Sequence, residues 1–140
     1  MSVYNKKYSD EEPSADGYKK ALGTLIELRK LNSQQKGLLL AWCNARGHSA
    51  SAEDLARAAQ YKGPIIACQQ IGKIGHMIAM VLGRRSTYRY TDRGTKGELI
   101  WLHFVGFRHG YDDDCPRRNE DYGMWVMNGN LVTAIKELRL

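Results

Sequence analysis

A chain of 140 residues with 43% hydrophobic content has room for one domain, whose core needs neither disulfides nor a metal. The three cysteines, Cys43, Cys68 and Cys115, are odd in number and widely spaced. That argues against a disulfide framework and fits free thiols in a reducing cytoplasm. The longest apolar stretch, 65–82, is interrupted by Gln69, Gln70, Lys73 and His76, so no membrane span is expected.

The net charge of +6 is unevenly distributed. Residues 17–108 hold fifteen lysines and arginines against five acids, whereas residues 109–122 hold two arginines against five acids. A concentrated positive field favours a polyanionic partner through phosphate neutralisation and counterion release.

Residues 1–16 (MSVYNKKYSDEEPSAD) are polar, lack an apolar period and contain Pro13. They read as a flexible arm with no signal peptide, leaving 17–140 as the folded domain. Leu22, Leu25, Ile26 and Leu28 mark a first helix ending near Leu31. Asn32 or Ser33 caps a second from about Gln34 to Ala45, with Leu38, Leu39, Trp42 and Cys43 on its buried side. After a break over 46–50, Ser51 opens a third helix with Glu53 and Asp54 in its first turn and a buried stripe of Leu55, Ala58 and Ala59. A turn over 61–63 precedes Pro64, which suits the first position of a fourth helix running to Gly83. Gly72 and Gly75 cost about 1 kcal/mol each inside a helix, so they predict either a break or close packing there.

Downstream the pattern changes. Residues 88–90 and 99–105 are β-rich runs around a turn at 91–97. Residues 106–122 read as a polar loop, 124–127 as a short strand, and 131–138 as a closing helix. The expected fold is α+β: a winged helix-turn-helix of four or five helices with a β-hairpin wing.

In such a unit the second helix enters the DNA major groove by its N-terminal half. Gln69, Gln70 and Lys73 lie on the leading turns of the fourth helix, beside Tyr61, Lys62 and Pro64. Gln reads adenine edges, and Lys reads guanine or phosphate. The run 84–96 supplies Arg84, Arg85, Arg89, Arg93 and Lys96 against a single acid, with Tyr88 and Tyr90 interleaved. As a wing it would lie along the DNA backbone. The alternative, which the basic charge disfavours, is that these residues form the solvated face of a helix and a charged edge that resists aggregation.

The run 54–63 (DLARAAQYKG), followed by Ile71-Gly72-Lys73-Ile74-Gly75, resembles a helical module found beside HNH endonuclease domains. That module shows LAxAAGYK, then YGxLG, then a hairpin with a Trp, and Trp101 and Trp125 stand in corresponding places. Gln60 replaces its glycine and Ile71 its aromatic. The resemblance implies DNA binding; some modules of this type resemble phosphorothioate-reading sulfur-binding domains, and Tyr61, Pro64 and Ala67 would then face the sulfur. The chain carries no HNH metal motif, so any nuclease activity would come from a partner.

Catalytic signatures are otherwise weak. Asp112, Asp113 and Asp114 are consecutive, a spacing that rarely converges on one cation. Cys43, His48, His109 and Cys115 match no structural zinc spacing. Cys68 has no recognisable histidine and acid partners, and no phosphate loop or nucleophile elbow is present. The expectation is a non-catalytic protein with no cofactor that binds duplex DNA, as a transcriptional regulator or DNA-sensing module. The alternative is a protein-binding adaptor or inhibitor, of a mobile element or phage, that docks on a nucleic-acid-handling complex.

Overall fold

The computed structural model describes residues 13–84, 104–109 and 124–140. Helix α1 spans Ala15–Glu27, capped by Ser14, whose Oγ accepts the Gly17 N–H at 3.0 Å. The first helix therefore begins before Gly17. Pro13 is buried, and its carbonyl accepts from Asn130 Nδ2 at 3.0 Å, which ties the end of the expected arm to the last helix. α1 stops short of Leu31 because Arg29 turns into the left-handed region (φ 58°) and the Lys30 N–H returns to the Leu25 carbonyl.

Helix α2, Ser33–Asn44, starts with a capping box in which Asn32 and Gln35 satisfy each other's backbone N–H groups. Leu38, Leu39, Trp42 and Cys43 are all buried, as their spacing predicts. A 3₁₀ turn at Arg46–His48 leads to a strand β1, Ser49–Ser51, where the sequence reading had only a break. Three residues are too few to display alternation. Helix α3 follows at once over Ala52–Ala59, with Ser51 Oγ accepting the Asp54 N–H at 3.0 Å. Its buried stripe is Ala52, Leu55, Ala56 and Ala59; Ala58, expected inside, is exposed. The correction follows from helical spacing, since 52, 55, 56 and 59 share one face and 58 does not.

Helix α4, Pro64–Leu82, begins with Pro64 in its first turn and runs unbroken through Gly72 and Gly75 to a left-handed cap at Gly83 (φ 67°). Ala67, Ile71, Ile74, Gly75, Ile78 and Ala79 face the core. By length and composition it could cross a bilayer. Its place, however, is between α1 and α3, with Gln69, Lys73 and His76 on its outer side.

Strands β2, Gly106–His109, and β3, Met124–Met127, pair antiparallel, and β1 adds to the other side of β3, giving the order β1-β3-β2. Gly106–His109 is thus strand where loop was expected, while Phe104 and Val105 form a turn where strand was expected. The expected runs 88–90 and 99–103 lie outside the described residues. Gly106 sits so close to its neighbours that a Cβ would fall 2.5 Å from the Val126 carbonyl and 2.6 Å from the Trp42 ring. Helix α5, Gly129–Leu138, then packs against α1.

Buried hydrogen bonds join the helical and strand layers. The Tyr18 hydroxyl donates to the Phe104 carbonyl at 2.8 Å and accepts from Asn128 Nδ2 at 2.9 Å. Trp42 Nε1 donates to the Trp125 carbonyl at 2.9 Å. The class is α+β, mostly helical, with five α-helices and a three-stranded antiparallel sheet among the described residues.

Candidate nucleic-acid interface

Helices α3 and α4 are joined by residues 60–63 and pack against each other. α3 ends because Gln60 adopts φ 64°, ψ 37°, a conformation glycine enters with less strain. Gln34 of α2 braces this corner: its Nε2 donates to the carbonyls of Ala59 at 3.1 Å and Gln60 at 3.3 Å. Those are orphan carbonyls at a helix end, and a side chain from a third helix satisfies them. The turn is therefore held from outside, which fixes the entry of α4.

At the start of α4, Gly63 is the N-cap and offers no side-chain acceptor, and Pro64 has no N–H to satisfy. Lys62, Ile65, Gln69 and Lys73 are exposed there. Ile65, Gln69 and Lys73 are four residues apart and form one stripe on the helix. Ile65 was not anticipated, although it is 57% exposed and its spacing places it beside Gln69.

The remaining expected site residues divide. Gln70 turns inward, and its Oε1 accepts from the buried Gln35 Nε2 at 3.1 Å, linking α4 to α2. Tyr61 is half-buried; its hydroxyl is enclosed without a hydrogen-bond partner, and burial pushes its pKa upward. Pro64 is also half-buried. The guanidinium of Arg84 lies 6.0 Å from the centroid of the Phe104 ring, a cation–π distance. Arg85, Arg89, Arg93 and Lys96 lie outside the described residues. Ala67, the third member of the apolar trio implied by the resemblance, is wholly buried in the core. It therefore offers no surface to a sulfur atom.

The basic run 84–96 precedes β2 in the chain, whereas residues 110–123 join the two paired strands β2 and β3. That connection contains five acids and two arginines. Among the described residues, no group of three or more histidines, cysteines or carboxylates converges on a metal position. His48 Nδ1 lies 2.7 Å from the Cys43 carbonyl, and burial pushes the Cys43 thiol up, with Lys136 opposing. The chain matches no family model, no curated protein and no solved structure.

Proposed function

We propose that this chain is a non-catalytic winged helix-turn-helix protein that binds duplex DNA, with α4 as the recognition helix. The observation that carries this reading is the exposed stripe of Ile65, Gln69 and Lys73, beside Lys62, at the leading end of a helix whose turn is braced by Gln34. A rigid corner presenting a helix N-terminus, two amines and an amide suits a phosphate backbone and a groove edge. The order β1, α3, α4, β2, β3 with a β1-β3-β2 sheet supports a winged arrangement.

On this reading the wing is the β2–β3 connection, whose acidic content makes it a poor phosphate ligand. Backbone affinity then rests on Lys62, Lys73 and the basic run that leaves α4 at Arg84. Gln70 is withdrawn from base reading by its bond to Gln35. Gln69 remains the one amide on the exposed stripe, so contact with the backbone outweighs sequence readout. Anisotropy titrations with random and phosphorothioated duplexes at two salt concentrations test the proposal. Affinity should fall steeply with salt, because each neutralised phosphate adds about 0.9 to the logarithmic slope. Absence of binding at low salt would overturn it.

A further inference from the structure

The trailing end of α4 presents a different surface. The last turns of α1 and α4 enclose an open groove of about 480 Å³ floored by Leu25, Leu28, Met77, Met80 and Val81. Leu28 is 59% and Met80 64% exposed, unusual for large apolar side chains placed side by side. Lys30 and His76 complete the lining. Arg29 adjoins Lys30, Glu27 is the single acid of the segment 27–30, and α4 contains no carboxylate at all.

We propose that this groove docks the apolar face of an amphipathic helix from a partner protein, with acidic residues flanking that face. An apolar floor edged by Lys30, with Arg29 adjoining it, matches an apolar stripe bordered by carboxylates. Two methionines in the floor provide a side-chain surface that adapts to the knobs of an incoming helix. A second copy of this chain is the poorer occupant. Two-fold pairing across the groove would bring the basic rims of both copies, Arg29 and Lys30 from each, into one interface in which each segment 27–30 supplies a single acid, Glu27. The groove lies about 22 Å along α4 from Ile65, at 1.5 Å per residue, so both surfaces can be occupied together.

The test uses the full chain and a synthetic helical peptide with leucines at i, i+3, i+4 and i+7 flanked by glutamates, beside a second peptide with lysines in their place. Leu28→Gln and Met80→Gln change exposed positions and keep the charge, and their folding is checked by circular dichroism. The glutamate peptide should bind saturably, about tenfold more tightly than the lysine peptide at low salt, and either substitution should abolish binding. Duplex-DNA affinity, measured separately, should be the same in both variants as in the parent chain. Equal binding of the two peptides, binding of neither, or a dimer in sedimentation that Met80→Gln dissociates would each overturn the proposal.

Discussion

Gln35 and Gln70 share a hydrogen bond of 3.1 Å between α2 and α4, and Gln35 closes the capping box of α2 as well. One buried amide thus sets the start of one helix and the rotation of another. That rotation turns Gln69 outward and Gln70 inward. Gln35→Ala should lower stability by about 2 kcal/mol, combining the loss of a cap interaction with the loss of the bond to the half-buried Gln70 Oε1. Urea denaturation measures this. Gln70→Ala should also destabilise the fold, whereas Gln69→Ala should leave stability unchanged and weaken DNA binding alone.

Lys62, in the turn before α4, and Lys73, on α4 itself, are both exposed. If each meets one phosphate, Lys62→Ala and Lys73→Ala should each reduce the salt slope of DNA affinity by about 1, with similar losses on every duplex sequence. A slope unaltered in the double variant would remove α4 from the interface.

Gln60 occupies a left-handed conformation at the end of α3. An L-residue with a side chain carries a steric penalty there that glycine does not. Gln60→Gly should therefore raise stability by about 1 kcal/mol, read as a shift of the urea midpoint at constant slope. The Gln34 bonds go to backbone carbonyls and survive the change.

Gly106 and Tyr18 hold the sheet to the helices. Gly106→Ala would drive a methyl group into the Val126 carbonyl and the Trp42 ring, and the resulting shift should cost about 1–3 kcal/mol. Tyr18→Phe leaves the Phe104 carbonyl and the Asn128 amide without the hydroxyl that joins them and should cost about 1–3 kcal/mol. Tyr61→Phe, by contrast, removes an enclosed hydroxyl that has no partner, so stability should hold or rise. Thermal unfolding of the three variants separates these outcomes.

Alkaline pH should destabilise the protein. Folding raises the Cys43 thiol above 9.0 and the Tyr61 phenol above 10.0, in both cases through burial. Well below pH 9 both groups are protonated in either state and there is no penalty. As pH rises through those values, the unfolded chain sheds protons that the folded chain retains, so stability falls. Lys19 acts in the same direction. Glu137, 2.8 Å away, holds its ammonium above 10.5; that contribution is complete below 10.5 and disappears as pH passes the raised value. Urea midpoints from pH 7 to 11 should decline throughout the upper range, and a flat profile would contradict the assignment.

Much of the architecture was legible because helices announce themselves locally. Asn32 and Ser51 as caps, Pro64 in a first turn, Gly83 as a stop and the period of Leu38, Leu39, Trp42 and Cys43 all follow from interactions within a few residues. The class α+β and the exposed pair Gln69 and Lys73 were equally readable. The sheet was not. β1 is three residues long and exists because β3, over seventy positions away, supplies its partner, and β2 follows from the same remote pairing.

Sequence alone determined the presence of the five helices, the caps at Asn32 and Ser51, the basic middle of the chain and the acidity of residues 110–123, since these are properties of neighbouring residues. Tertiary structure decided which of two adjacent glutamines faces the core and that Ala67 is interior. It also paired β2 with β3, so that the acidic segment 110–123 joins them, and it brought Leu28 and Met80 to one groove. The reason is physical: a side chain's neighbours in space depend on how whole helices are rotated and docked. Here that docking is set by long-range bonds such as Gln35–Gln70 and Tyr18–Phe104, which no local pattern encodes.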